Sequence, residues 1–479
     1  MKNSQNIKQK VLKGAVWRFS ERVSSQAVGF IVSIILARLL TPDQYGLIAL
    51  TLIFIAIGNS IVISGLGTSL IQKKDADELD FSTMFYAGLI FSILIYIIIF
   101  IASPLIGRLF NNNQICIVLR VMGLSLPLSS VNSIQQAIVS RSLEFKKFFY
   151  ATLIGTFSSG ILGISLAYAG WGVWALVGQH LSSIAINTLA LNRIIVWHPE
   201  LKFSLSRLKS LYSFGLRVMI ANLIGTIFYE LKSFIVGIIY TPADLAFLNQ
   251  GEKFPSLVAK NVENTISTVL FPALSIVQDD RLRFKQYMSR SMRTCSFIMF
   301  PLMFILAISA DKIVLLLLTE KWMSCVPFVR IFCLNNCVSI LSTANLQTFN
   351  ALGRSDITLK IEFYKKPLFL GIILTAMFIS PIAIAVGTLV YNVIAGIINA
   401  LPNKKLINYS FSEQIYDIVP SFLLSCLMAV LLIPFDFLSL NRFMILFLQI
   451  SFGLVFYMVG AKFFIKEEYI YVCNILKNK

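Results

Sequence analysis

Apolar stretches about twenty residues long recur from one end of the chain to the other, and few folds accept that pattern. Runs such as 81–103 and 370–400 have the length of helix that crosses a hydrocarbon core about 30 Å thick. Inside lipid each backbone N–H and C=O must be paired within its own segment, so such runs are read as helices. Charged residues make up 13% of the chain, against about 25% in soluble domains. A water-soluble globular fold is excluded.

The net charge of +18 raises nucleic acid as a partner. The basic residues, however, stand in short clusters between apolar segments rather than in one patch, which is how membrane loops fix orientation. No nucleic-acid partner is expected. The cysteines (Cys116, Cys295, Cys325, Cys333, Cys337, Cys426, Cys473) are scattered and nearly all fall in expected spans, so neither a disulfide framework nor a metal site is expected. Cys333 and Cys337 share a helix face, but no nearby histidine completes a ligand set. The N-terminus is basic (Lys2, Lys8, Lys10, Lys13). Arg18, Glu21 and Arg22 interrupt the apolar stretch that follows, so no cleavable signal is expected.

Apolar periodicity places spans at 16–40, 44–70, 81–103, 114–139, 148–169, 173–195, 211–240, 245–275, 290–310, 326–351, 361–380, 382–401, 416–433 and 441–464. Ala169-Gly170-Trp171-Gly172 and Ser380-Pro381 join their neighbours as tight helical hairpins. With the N-terminus inside, the even-numbered loops carry Lys73/Lys74, Arg141/Lys146/Lys147, Arg193/Lys202/Arg207/Lys209, Arg281/Arg283/Lys285, Arg354/Lys360/Lys365/Lys366 and Lys404/Lys405. The C-terminal tail adds Lys462, Lys466, Lys477 and Lys479, whereas the opposite loops hold only Arg38, Arg108, Lys312, Lys321 and Arg442. Positive charge therefore stays inside along the whole chain, and both termini are cytoplasmic. One miscounted helix would invert every later loop.

An internal repeat is visible. Leu40-Thr41-Pro42 follows the first span and Tyr240-Thr241-Pro242 the seventh; Ser140-Arg141-Ser142 closes the fourth and Gly353-Arg354-Ser355 the tenth. Each Thr-Pro suits a helix N-cap followed by proline at the first helical position. Gln44 and Asp244 stand where a capping-box partner belongs. The fold expected is an all-α polytopic membrane protein of about fourteen transmembrane helices. It comprises two parallel six-helix bundles, 1–200 and 201–402, and an extra helix pair with tail at 403–479. Parallel six-helix halves are a transporter architecture, with substrate held between them and exposed alternately to either side.

Ionisable groups at a bilayer centre cost about 2.5–3.5 kcal/mol each and usually face the bundle interior. In the first span Arg18, Glu21, Arg22, Ser25 and Gly29 share a face. They read either as an Arg18–Glu21 pair snorkelling to headgroups or as a cationic cavity rim. In the seventh, Asn222, Thr226, Tyr229 and Ser233 line a face bordered by Glu230, with Arg217 and Lys232 elsewhere. In the eighth, Asn249, Glu252, Ser256, Lys260, Glu263 and Ser267 form a polar stripe, opposite Phe254, Val258, Val262 and Thr265. Structural ion pairs, Glu230 with Lys232 or Lys260 with Glu263, compete there with a water-filled cavity that recognises an anion and a proton or sodium ion. First-half counterparts are apolar, Phe30 and Val32 opposite Glu230 and Lys232, Leu52 and Ile53 opposite Glu252 and Lys253. A basic, hydroxyl-bearing cavity suits a phosphate with attached sugars. The amides and hydroxyls of the tenth span (Asn335, Asn336, Ser339, Asn345, Gln347) and the fourth (Ser129, Asn132, Ser133, Gln135, Gln136) serve sugars or helix packing. Gln278-Asp279-Asp280, followed by Arg281 and Arg283, reads as a solvated loop. No catalytic constellation, metal or cofactor is expected, and a proton or sodium gradient is the expectation for energy coupling.

Phe271-Pro272-Ala273-Leu274-Ser275, followed by Gln278-Asp279 and Arg281-Leu282 with Tyr287 and Arg290 beyond, resembles a signature of the Wzx-like polysaccharide flippases, nearest the colanic-acid and teichuronic-acid branch. Residues 37–46 (Ala-Arg-Leu-Leu-Thr-Pro-Asp-Gln-Tyr-Gly) resemble that family's first-loop motif. Leu318-Thr319-Glu320-Lys321-Trp322 resembles its ninth-span ending, with Thr319 where glycine is usual, and Ala351-Leu352-Gly353-Arg354 also fits. The resemblance implies the multidrug/oligosaccharidyl-lipid/polysaccharide exporter fold in a bacterial inner membrane. It also implies an undecaprenyl-pyrophosphate-linked oligosaccharide as substrate, moved to the periplasmic leaflet for surface polysaccharide biosynthesis, with membrane lipids, a polysaccharide polymerase and a chain-length regulator as partners. On that reading Arg18, Arg22, Arg217, Lys253, Lys260, Asn222, Tyr229 and Asn249 bind pyrophosphate and sugar, and Glu21, Glu230, Glu252 and Glu263 couple the ion. A multidrug or small-cation exporter of the same fold is the alternative, although it would want an acidic cavity. A membrane polysaccharide polymerase is the second, although no outward loop is longer than about 20 residues.

Overall fold

The structure, a computed structural model, describes residues 2–64, 66–73, 75–195 and 197–477. The side chains of 2–9, 11, 12, 66, 68, 213, 214, 265–269 and 475–477 are outside the description. Lys2, Lys8, Lys74, Thr265, Ser267, Lys477 and Lys479, named above, therefore lie beyond the described residues or side chains.

The described chain is helical throughout and divides into two compact units, 1–246 and 247–479. In the first, α1 (Lys2–Leu39), α2 (Pro42–Ile63), α3 (Leu66–Gln72), α4 (Glu78–Leu109), α5 (Asn113–Gly123), α6 (Ser125–Ser142), α7 (Phe145–Tyr168), α8 (Val173–Ile194) and α9 (Leu205–Ile239) follow one another. α10 (Pro242–Ile276) leads into the second. There α11 (Arg281–Ile308), α12 (Ala310–Leu317), α13 (Val326–Ala351), α14 (Ser355–Ala376) and α15 (Pro381–Ala400) precede α16 (Asn403–Ile407), α17 (Phe411–Leu432), α18 (Arg442–Phe464) and α19 (Lys466–Lys477). Short 3-10 turns occupy Glu320–Cys325 and Ile433–Phe437.

The repeat's two capping boxes are present. Gln44 N–H donates to Thr41 Oγ1 (3.4 Å) while Thr41 N–H donates to Gln44 Oε1 (3.0 Å). Asp244 N–H donates to Thr241 Oγ1 (3.2 Å) and Thr241 N–H to Asp244 Oδ2 (3.1 Å). Each box satisfies helix-end donors that have no intrahelical acceptor. The α7–α8 hairpin turns on Gly170 and Gly172 at φ +79° and +55°, a region costly for a residue with a Cβ. Ser380 Oγ caps α15 by accepting from Ala383 N–H (3.0 Å), ahead of Pro381.

Two expected spans are interrupted. The fourth breaks between α5 and α6, where Pro127 lies in the first turn of α6 and its missing N–H costs nothing. The second ends at Ile63, with α3 continuing separately. Among the described residues, eleven helices are long and apolar enough to cross a membrane. The expected fourteen include three more, α8, α10 and α14, which are helices of 22, 35 and 22 residues. These three carry the polar residues that lower their hydropathy: His180 and Asn187, Glu252 to Glu263, and Lys360 to Lys366.

Within the first unit α4 turns Ser82, Ser92 and Ser103 inward, each fully buried, and leaves Ile98, Ile101 and Leu105 exposed. Polar-in and apolar-out is the arrangement a lipid surround requires. Gly160 sits against Val32, and Gly163 against Gln179, so small residues let α7 approach α1 and α8 closely. In the second unit Phe284, Met288, Met292, Leu341 and Tyr409 form one core, and Phe297, Ile305, Leu424, Met428 and Tyr457 another.

Candidate functional site

The chemistry-bearing side chains of the first unit start on α1. Arg18 donates to Glu21 Oε2 at 3.1 Å and stacks over the Phe148 ring at 5.0 Å, while its side chain stays half exposed. The expected Arg18–Glu21 pair is therefore formed, and it leaves guanidinium N–H groups over. Arg22 is exposed and makes no hydrogen bond or ion pair among the described residues. Ser25 Oγ is buried without a partner there, and a Cβ at Gly29 would meet nothing within 4 Å.

On α9, Arg217, Asn222 and Tyr229 are exposed, Thr226 and Glu230 half-buried, and Lys232 and Ser233 buried. The Lys232 ammonium lies 5.6 Å from the centre of the Tyr229 ring, a cation–π contact. On α10, Asn249, Glu252, Lys253, Ser256 and Glu263 are half-buried and Lys260 is exposed. The expected Lys260–Glu263 pair does not form. Ser339 Oγ–H of α13 donates to Glu263 Oε1 at 2.6 Å instead. α10 is held against α13 at Gly251, where a Cβ would stand 2.4 Å from Phe328 Cβ. Seven of the expected site residues (Arg18, Glu21, Arg22, Arg217, Asn222, Tyr229, Glu230) belong to the first unit and five (Asn249, Glu252, Lys253, Lys260, Glu263) to the second.

The polar tenth span, α13, is largely consumed by packing. Asn392 Nδ2 donates to Asn335 Oδ1 (2.7 Å), and Asn345 donates to Gln414 Oε1 (2.9 Å) while accepting from Asn403. In α6, by contrast, Asn132 reaches both Asn187 and Thr188 of α8 at 3.4 Å, and Gln136 donates back to Asn132 at 2.6 Å. Sequence reasoning gave no weight to α8, although His180, Ser183 and Asn187 recur there at helical spacing.

On the outward side, where the loops are poor in basic residues, the two Thr-Pro motifs meet. A Cβ on Gly46 would stand 1.8 Å from Pro242 O, so α2 touches the start of α10 through bare backbone. Phe54, Phe110 and Phe234 pack edge to face further along α2 and α9, with centroids 5.9–6.2 Å apart. At the inward end Asp80 is fully buried between Lys73 (2.5 Å) and Arg207 (3.3 Å). Asp77 caps α4 beside it, and the Asp80 backbone N–H it accepts holds its carboxyl below the usual range.

The model of a family described as "Polysaccharide biosynthesis protein" matches residues 35–327. The chain is similar to the "Lipopolysaccharide biosynthesis protein WzxC" of Escherichia coli (strain K12), 22% identical over 428 residues that cover 88% of this chain and 86% of the relative. It is also similar to the "Teichuronic acid biosynthesis protein TuaB" of Bacillus subtilis (strain 168), 20% identical over 89% of each chain. Among solved structures it superposes on "Lipid II flippase MurJ, inward closed conformation" with a TM-score of 0.78 at 14% identity, covering 95% of this chain and 99% of that one. A multidrug resistance MATE family transporter in an inward-facing conformation gives 0.64 at 13% identity, over 80% and 94%. The fold is the one these transporters share, as the Phe271–Ser275 signature implied.

Proposed function

The chain belongs to the polysaccharide biosynthesis protein family, and on that footing we propose that it is a flippase for lipid-linked oligosaccharides in the bacterial inner membrane. The observation that carries this reading is the family match over residues 35–327. The fold, held in common with a lipid II flippase over 95% of the chain, supports it. So does the similarity of most of the chain to lipopolysaccharide and teichuronic acid biosynthesis proteins.

The substrate proposed is undecaprenyl pyrophosphate bearing one oligosaccharide repeat, carried from the cytoplasmic to the periplasmic leaflet by alternating access. Arg18, Arg22 and Lys260 engage the pyrophosphate, with Arg217 and Lys253 adding positive charge; guanidinium and ammonium groups are the partners phosphate oxygens take. Asn222, Tyr229 and Asn249 accept sugar hydroxyls. The polyprenyl tail stays in lipid throughout. Proton or sodium binding at Glu21, Glu230, Glu252 or Glu263 resets the cycle. No bond is made or broken; the activity is transport.

The test uses purified protein in liposomes, with the glycolipid confined to one leaflet and an external glycosidase reporting exposure of the sugar. Translocation that depends on a pH or sodium gradient is the result expected, and Arg18→Ala and Lys260→Ala should abolish it while the protein stays folded. Normal transport by both variants would remove the charge-based binding scheme. The shared fold with a multidrug transporter keeps one second reading in view. Movement of a cationic dye, with a whole panel of glycolipids left in place, would establish it.

A further inference from the structure

Between α6 and α8 lies a cavity of about 240 Å³, lined by Ser129, Asn132, Ser133, Gln136, Ser183 and Asn187, with Ile63 at its α2 side. We propose that this cavity is the docking site for one neutral sugar residue of the transported glycan, a selectivity pocket within the first unit. The proposal rests on the flippase reading above.

Three properties of the cavity point to a sugar. Its polar lining is neutral, so it offers nothing to a pyrophosphate, which needs cations, and nothing to a drug cation, which needs an acid. Amides and hydroxyls each donate and accept, which is what a ring of hydroxyl groups requires. Its volume is below the roughly 300–1,000 Å³ of drug-sized pockets, so it takes a single sugar rather than a chain.

The polar groups of the lining are also held in place, with one unpaired buried group behind them. Ser129 and Ser133 are 8% and 7% exposed, and both line the cavity. Next to them Gln135 donates to Thr188 O, but its Oε1 is buried with no partner among the described residues. Buried polar groups left unpaired cost about 1–3 kcal/mol each, and lipid offers them no substitute. Meanwhile the Gln136–Asn132–Asn187 chain of hydrogen bonds holds the remaining amides in fixed orientations. Oriented amides beside hydroxyls that line the same cavity are the groups a sugar ring can pair with.

Depth fits entry from the cytoplasm. α6 ends at Ser142, next to Arg141, whose guanidinium caps the Leu70 and Lys73 carbonyls at the inward edge. Asn132 is about 15 Å along the helix from that end, and Asn187 about 10 Å from the end of α8. In a core about 30 Å thick Asn132 therefore lies near the midplane and Asn187 in the cytoplasmic half.

The experiment measures binding to the full-length protein in nanodiscs of two probes: undecaprenyl pyrophosphate, and the same lipid carrying each member of a panel of neutral and acidic oligosaccharides. Wild type should bind at least one glycolipid ten or more times more tightly than the bare lipid. Ser129→Leu and Ser183→Leu fill the cavity without touching the Asn132–Asn187 bond. They should bring that glycolipid down to the affinity of the bare lipid and leave the bare lipid unchanged. Ser129→Ala, which adds no bulk, should keep most of the preference. Undiminished glycolipid binding in both filled variants, or equal loss of both probes, would mean a hydrated packing gap and overturn the proposal. A wild type that binds bare lipid but prefers no glycan also overturns it while leaving the phosphate scheme standing. Binding of neither lipid removes the flippase reading itself.

Discussion

Asp80 illustrates how little a single position discloses before the chain folds. Its carboxylate has no exposure at all, yet both of its cations, Lys73 and Arg207, are partly open to solvent. Around it Trp197 Nε1–H donates to Glu78 (2.6 Å) and Glu200 N–H to Ser82 Oγ (2.9 Å), so the linker between α8 and α9 is tied to the start of α4. Asp80→Ala should lower stability by about 1–3 kcal/mol, toward the small end because the released cations can turn to water. Thermal unfolding followed by size-exclusion chromatography measures it, and Asp80→Asn, whose amide still accepts, should lose less. In the sequence Lys73 and Arg207 were legible only as markers of the inward side. Lys73 stands just ahead of α4, but Arg207 reaches Asp80 across four intervening helices, α5 to α8, and no local pattern records that. The same limit governs the site: Arg18 with Glu21 was readable because three residues separate them on one helix. Glu263 with Ser339 was not, because α10 must first meet α13. Glu263→Gln retains an oxygen for the Ser339 hydroxyl and removes the titrating proton. If Glu263 couples the ion, the variant should fold normally and lose gradient-driven transport; an unchanged gradient response would take Glu263 out of the coupling set.

Helices were the most legible scale, because lipid leaves few alternatives and because their ends carry chemical labels. Thr41 and Thr241 announce their helices with the same box, each cap contributing about 1 kcal/mol. The breaks at α2–α3 and α5–α6 were missed, since apolar composition continues through them and only Pro127 hints at the second. The three helices that fall short by apolarity, α8, α10 and α14, are the ones bearing charge or amide stripes, so span counting weakens where polar function is concentrated. Least legible was the meaning of Gly46, which in the sequence is only the last residue of the 37–46 motif. In the structure its missing side chain is what lets α2 lie against Pro242. Gly46→Ala forces these elements apart and should cost about 1–3 kcal/mol, as other overpacked contacts do. It should also raise the rate at which a cysteine placed at Thr241, in a background free of native cysteines, reacts with a membrane-impermeant maleimide. An unchanged rate would mean that the outward contact does not open when it is crowded.

At the scale of the whole chain, the fold class could be read from apolarity alone, because every long run repeats the test. How firmly each helix is held could not, since that depends on contacts between distant segments. The last two long helices are the clearest case. In sequence α17 and α18 fall outside the repeat and read as an appendage. In the structure Arg293 of α11 bonds Asp417 (2.7 Å), and Tyr409 and Ser289 also donate to that carboxylate. Buried Lys312 meets Asp436 (2.7 Å), and Ser309 Oγ–H donates to Gln449 Oε1 (3.0 Å). Leu424, Met428 and Tyr457 complete the core that also contains Phe297 and Ile305. Ending the chain after Asn408 would strip Arg293 and Lys312 of these carboxylates and expose the α11 face they cover. Lys312 keeps Asp311 (3.2 Å), and Arg293, 35% exposed, can turn partly to water. The larger loss is therefore the apolar core of Leu424, Met428 and Tyr457, each worth about 1.5–3 kcal/mol when buried, set against the roughly 5–15 kcal/mol that holds a typical domain together. Such a truncation should therefore yield aggregated or degraded protein, and co-expression of 409–479 as a separate segment should restore a monodisperse species. A truncated chain that runs as a folded protein and still transports would mean that 247–408 carries a sufficient core of its own, and that the final helices serve some purpose other than support.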